Sequence, residues 1–116
     1  MSVVQLLMDT AVEDSQLLVK NQEIGDRAEI PRDIEFVLYA KDEEKARLVA
    51  SFVADYRYGR PSVERVEHRG VDSWQLLITI HSPTTENVVM ALSAFMVCLS
   101  KLYDLDYDGW SCTIQK

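Results

Sequence analysis

The feature that most constrains the fold is an alternation of residue types between Ser73 and His81. One set of alternate positions is entirely apolar: Trp74, Leu76, Ile78 and Ile80. The positions between them are mixed in character. Because successive side chains of a β-strand point to opposite faces of a sheet, a period of two predicts a strand with one buried face. The rest of the chain must therefore supply neighbouring strands and a covering layer.

Three further segments carry strand patterns, at residues 33–40, 62–69 and 106–114. The first alternates, with apolar residues on one face. The second is polar, as expected of an edge strand, where charge discourages aggregation between sheets. The third is expected to turn Trp110 inward, together with Cys112 and Ile114. The sequence thus predicts four strands.

Apolar residues spaced by three, four and seven predict three helices. The first spans residues 3–22, and the second spans residues 42–57 with Asp42 as its N-cap. The third begins at Pro83, with Ser82 as its cap. The residues expected to face the core are Val4, Leu7, Met8, Ala11, Leu18 and Val19 in the first helix; Ala46, Val49, Val53 and Tyr56, with Phe52 beside them, in the second; and Val89, Leu92, Met96, Leu99 and Tyr103, broadened by Val88, Phe95 and Leu102, in the third.

The order of these elements is a helix followed by β-α-β-β-α-β. This order predicts the α+β class and a ferredoxin-like antiparallel sheet with helices on one face. Residues 1–24 form the N-terminal helix and residues 25–116 the ferredoxin-like domain. The 116 residues include only four glycines and three prolines, so the whole is expected to fold as one unit.

The charge balance bears on the partner. Twelve basic residues stand against 19 acidic ones, for a formal net charge of −7. This disfavours binding to a phosphate backbone. It fits docking onto a basic protein surface, and it equally fits mere solubility. The open sheet face would offer RNA only Tyr39 as a stacking aromatic, so we expect Val37 and Leu77 to be buried under the N-terminal helix or a second subunit.

The two cysteines, Cys98 and Cys112, are expected to be packed thiols in a reducing compartment. No apolar run approaches the roughly 18 residues of a membrane helix. The start of the chain has no basic leader of the secretory type. The sequence therefore predicts a cytoplasmic protein that does not enter a membrane.

Candidate chemistry is sparse. His68 and His81 belong to no local catalytic motif, and the histidines and cysteines lack the paired spacing of a zinc site. No phosphate-binding glycine loop and no metalloprotease motif occurs. Asp14 is expected on the solvated face of the first helix. We therefore expect no catalysis, no metal and no cofactor.

The most distinctive segment is Asp106-Tyr107-Asp108-Gly109-Trp110. In one interpretation it is structural: Gly109 allows a bulge or a close backbone approach, and Trp110 anchors the strand in the core. In the other, Asp106, Tyr107, Asp108 and Gly109 form a contact with a partner protein, because aromatic residues are enriched at binding hot spots. Both interpretations remain open from the sequence.

The segment from Leu102 to Trp110 resembles the end of the regulator of ribonuclease activity B domain, where a helix leads into a Y-D-G-W strand. Weaker similarities lie at Gly25-Asp26, at Lys41-Asp42 and at the Tyr56–Gly59 stop. The resemblance implies a ferredoxin-like fold without an active site. It also implies binding to a ribonuclease E-like protein and restraint of its RNA cleavage.

Two departures from the family pattern affect the expected activity. Ser111-Cys112 stands where a glycine and a threonine are usual, and the sequence stops at Lys116 where family members often carry an acidic tail. If such a tail grips the ribonuclease, inhibition here is weaker or absent. The alternatives are an interaction module with another target, a homodimer through the open sheet face, and, less favoured, a small enzyme or a weak RNA binder.

Overall fold

The computed structural model describes residues 2–116. Its elements are α1 (Val3–Glu23), β1 (Arg32–Ala40), α2 (Glu43–Asp55), β2 (Arg60–His68), β3 (Val71–Ser82), α3 (Glu86–Leu102) and β4 (Asp106–Cys112). The four strands form one antiparallel sheet in the order β2-β3-β1-β4. The predicted ferredoxin-like fold is confirmed, with α1 added in front of it.

The core lies between the sheet and the helices. The inward residues of the two central strands are paired directly, with Phe36 opposite Ile78 and Leu38 opposite Leu76. All four side chains are fully buried. Each contributes roughly 1.5–3 kcal/mol by leaving water. Helix α2 covers them with Ala46, Val49 and Val53, and α3 does so with Val89 and Met96.

The first helix differs from the prediction in the face that it buries. It packs against α3, on the helical side of the sheet, so Val37 and Leu77 on the open face lie outside its reach. Leu17 and Leu18 pack against the core, whereas Val4, Met8 and Val19 are exposed. The predicted face is therefore right for Leu18 and wrong for Val4, Met8 and Val19, because α1 is apolar on two sides and its spacing pattern does not show which side meets α3.

The ends of α2 and α3 also differ from the prediction. Tyr56 and Leu102 are exposed, because each lies at the C-terminal end of its helix, beyond the part of the helix that packs on the core. Helix α3 begins at Glu86 after Thr85 instead of at Pro83. The physical reason is that β3 continues to Ser82, which is opposite Arg32 in the sheet.

A buried ion pair joins Asp26, in the loop after α1, to Arg32 at the start of β1. The Arg32 guanidinium also donates to the backbone oxygens of Thr113 (3.0 Å) and Arg27 (2.7 Å). Burial by itself would raise the pKa of Asp26, but hydrogen bonds from the Gln115 backbone N–H and from Arg32 outweigh it and hold that pKa below its ordinary value. The pair thereby fixes the loop and the C-terminal residues to the same corner of the sheet.

Of the helices in residues 2–116, none has the length and apolar content needed to cross a lipid bilayer.

Candidate functional site

The distinctive segment forms β4, an edge strand that pairs with β1 through a bulge. Phe36 lies opposite Trp110 and Leu38 lies opposite Tyr107, so two residues of β4 face one residue of β1. Gly109, in the bulge, has a φ of +98°. An added Cβ there would meet no atom within 4 Å. The glycine is therefore required by its backbone conformation and not by lack of space.

The bulge changes the direction of the side chains that follow it. In a regular strand, residues three apart point to opposite faces. Here Tyr107 and Trp110 both point toward the helices, because each is paired with an inward residue of β1. Trp110 is buried in the core and Tyr107 packs against it.

These two aromatic residues take part in a polar cluster that joins β4 to two helices. The Trp110 indole N–H donates to Asp14 Oδ1 of α1 over 2.9 Å, and the hydroxyls of Tyr107 and Ser93 of α3 are 2.9 Å apart. Burial raises the pKa of Asp14, although hydrogen bonds from Trp110 and Ser93 act in the opposite direction. Burial also raises the pKa of Tyr107, so its hydroxyl stays protonated.

Asp14 was expected to face solvent, and that expectation was wrong: it is only 5% exposed. Neither Asp14 nor Ser93 was identified from the sequence as part of a site. One signal was available for Asp14, because it lies at helical spacing between Ala11 and Leu18. A carboxylate among the apolar positions of a helix needs a buried donor, and Trp110 supplies it.

The two aspartates of the segment are on the outside of the molecule. Asp106 and Asp108 are both exposed, and Asp104 follows the end of α3 only two residues before Asp106. Asp104 forms an ion pair with Lys45, in which Oδ2 and Nζ are 3.3 Å apart. The predicted site residues thus divide into two groups. Asp106 and Asp108 are exposed to solvent, whereas Tyr107 and Trp110 are turned inward, with Gly109 between them.

A pocket of about 390 Å³ lies beside Asp106, at the end of the sheet. Tyr39 and His68 line this pocket, and their rings are stacked with centroids 3.7 Å apart. His68 Nε2 lies 3.9 Å from Asp106 Oδ2, which is beyond hydrogen-bonding distance. Tyr39, the one aromatic residue expected on the open face, is thus stacked against His68.

The structure does not bring the chemically reactive residues together. His68 ends β2 and lies opposite Val71 at the start of β3, whereas His81 lies near the end of β3. The two are roughly 30 Å apart at the rise per residue of a strand. His81 is bonded to Asp33 over 3.0 Å on the surface. Within residues 2–116, no three His, Cys, Asp or Glu side chains converge on a metal position. Burial raises the pKa of Cys112, which keeps its thiol protonated and poorly reactive.

The fold and the site define a small α+β domain that presents acidic side chains along the edge of an antiparallel sheet. The chain belongs to the regulator of ribonuclease activity B family, whose model matches residues 11–112. The resemblance seen in the closing segment is thereby confirmed. A comparison with curated proteins finds no match.

Proposed function

We propose that this protein is a non-catalytic, cytoplasmic regulator that binds a ribonuclease E-type endoribonuclease and restrains its cleavage of RNA. The observation that carries the proposal is the family match over residues 11–112. The separation of the two histidines and the raised pKa of the Cys112 thiol favour binding over catalysis as the mode of action.

The contact that we propose centres on the beginning of β4. Asp106 and Asp108 meet the partner directly, while Tyr107 and Gly109 hold these carboxylates in position. Trp110 anchors the strand from behind. A bulge in an edge strand hinders the addition of another strand, so the contact is expected to use side chains and not backbone pairing. With a net charge of −7, the protein suits a basic surface on the enzyme.

The first prediction tests this contact with the double variant Asp106→Asn/Asp108→Asn. We expect association with the ribonuclease to weaken about three- to tenfold at low ionic strength, because each exposed ion pair contributes up to about 1 kcal/mol. The dependence on salt should also become shallower. Titration at several salt concentrations measures both effects.

The matched control is Glu64→Gln, which removes one exposed charge from β2 at the opposite edge of the sheet. This variant should bind like the wild type. The proposed function itself is tested by RNA cleavage at saturating protein. A cleavage rate that the wild-type protein leaves unchanged would contradict it.

A further inference from the structure

The outward side of α1 carries a row of exposed apolar residues. Val4, Met8, Val12 and Val19 are 65%, 58%, 57% and 51% exposed. They follow one another at intervals of four, four and seven residues. At 100° per residue, their directions fall within about 80° of the helix circumference. These four residues are called the outer stripe.

The fold of the chain does not account for the outer stripe. Helix α1 is held by its other side, through Leu17 and Leu18, which pack against the core, and through the hydrogen bond from Trp110 to Asp14. A surface helix that needed only to stay dissolved would present charged residues outward. Apolar anchors at these intervals are instead the pattern by which helices pack against each other or lie in a groove.

The charges beside the outer stripe indicate what covers it. Asp9, Glu13 and Glu23 are exposed on one flank of the helix, against a single basic residue, Lys20. Within residues 2–116, Glu13 and Glu23 have no ion-pair partner. A second copy of the chain would bring like charges together, which is unfavourable. A helix with Lys or Arg beside its apolar face would complement them.

We infer that the outer stripe is the docking surface for an amphipathic, basic-flanked helical segment of the partner enzyme. This inference rests on the proposed function and adds a second contact to the one at β4. The two contacts lie on adjoining elements, because Asp14 of α1 is bonded to Trp110 of β4.

The test uses the double variant Met8→Glu/Val12→Glu and the purified ribonuclease E-type enzyme. Both side chains are more than half exposed, so the free protein should keep its circular dichroism spectrum and its melting temperature within a few degrees. Binding should weaken about tenfold or more, since burying a carboxylate against an apolar partner face is strongly unfavourable. Gln16→Glu adds a charge to the same helix outside the outer stripe, on its acidic flank, and is the matched control: it should bind at least as tightly as the wild type.

The outcomes separate the two proposals. If the wild type binds and the double variant binds equally well, the docking surface is refuted while the proposed function stands. If the wild type fails to bind the enzyme, the proposed function is refuted. The inference of a docking surface, which rests on that function, is then refuted as well. If sedimentation shows a wild-type dimer that the double variant abolishes, a second copy covers the outer stripe and the inference is overturned.

The charge component has its own variant, Glu13→Gln/Glu23→Gln. It should weaken binding several-fold at low salt and have little effect at high salt. An unchanged salt dependence would overturn the assignment of a basic flank to the partner.

Discussion

At the scale of single residues, Asp14 shows how a buried carboxylate and an indole determine each other's surroundings. The Asp14 side chain is removed from water and accepts the Trp110 N–H over 2.9 Å. Without the carboxylate, the indole N–H would be buried with no acceptor, which costs about 1–3 kcal/mol. Without the indole, the buried carboxylate would lose the N–H donor that lies 2.9 Å from it. The two residues therefore stabilise the packing of α1 as a pair.

The second prediction concerns substitutions of Asp14. Because the pKa of Asp14 is raised in the folded state, its contribution to stability is complete below the unfolded value of 3.8 and is lost as pH rises through the folded value. Asp14→Asn does not titrate and can still accept the Trp110 N–H. We expect the free energy of unfolding of Asp14→Asn to increase relative to that of the wild type as pH rises from 3.8 to 7. Denaturant titrations at several pH values measure this difference.

Asp14→Ala is the companion variant. It removes the acceptor, so it should lose about 1–3 kcal/mol relative to Asp14→Asn at every pH. Equal stability of the Ala and Asn variants would show that the hydrogen bond contributes nothing.

The sequence could predict residues of this site only where their roles follow from local spacing. An inward Trp110 was expected from the alternation of the last strand. The inward direction of Tyr107 could not be expected from that alternation, because it depends on a bulge that shifts the register against β1. Likewise, the bond from Trp110 to Asp14 joins positions 96 residues apart, and helical periodicity carries no information about such a pair.

At the scale of elements, the bulge in β4 decides which side chains are presented and which are hidden. Its left-handed glycine lets Tyr107 and Trp110 share one side while the aspartates remain exposed. A regular strand of the same sequence would turn Tyr107 away from the helices. The division between contact residues and anchoring residues thus originates in one backbone conformation.

The third prediction is that Gly109→Ala destabilises the protein by about 1–2 kcal/mol, the cost of placing an L-residue in a left-handed conformation. Gly70→Ala is the matched control, because Gly70 also has a positive φ and open space around it. Both variants should lose stability, but only Gly109→Ala should shift the NMR resonance of the Trp110 indole N–H. An unshifted resonance would mean that the bulge does not position Trp110.

Helix α1 illustrates what periodicity can and cannot predict for an element. Its existence and length follow from the recurrence of apolar residues, and the structure agrees within about one residue at the C-terminal end. Its orientation does not follow, because α1 is apolar on two sides. Only the surface offered by α3, with the small Ser93 near Asp14, selects the side that becomes buried.

At the scale of the whole molecule, the chain order is sufficient to predict the ferredoxin-like sheet. Two βαβ halves of this length have few ways to form a four-stranded sheet with short connections. The location of α1 is different, because no strand pairing constrains it. It joined the helical layer beside α3 instead of covering the open face, which leaves Val37 and Leu77 only partly buried.

The fourth prediction is that removal of residues 1–24 impairs the fold as a whole. The remaining chain would expose the surface of α3 that α1 covers and would leave the Trp110 N–H without its acceptor. We expect a loss of about 3 kcal/mol or more, seen as a lower melting temperature and increased binding of a hydrophobic dye. The full chain should unfold in a single calorimetric transition.

A truncated protein with the wild-type melting temperature would contradict this prediction and would make α1 a separate appendage. Adding a peptide of residues 2–24 in trans is the complementary experiment. Partial recovery of the melting temperature would show that the loss arises from the missing contacts of α1.

The buried pairing of Asp26 with Arg32 has a consequence for how sequences of this kind can diverge. Replacing either residue alone leaves the charge of the other one buried without a partner, which costs about 3–5 kcal/mol. This is a large share of the stability of a small domain. Replacing both with apolar residues of matching volume is far less harmful. The two positions are therefore expected to drift together in descendants of this chain, with single changes eliminated by selection.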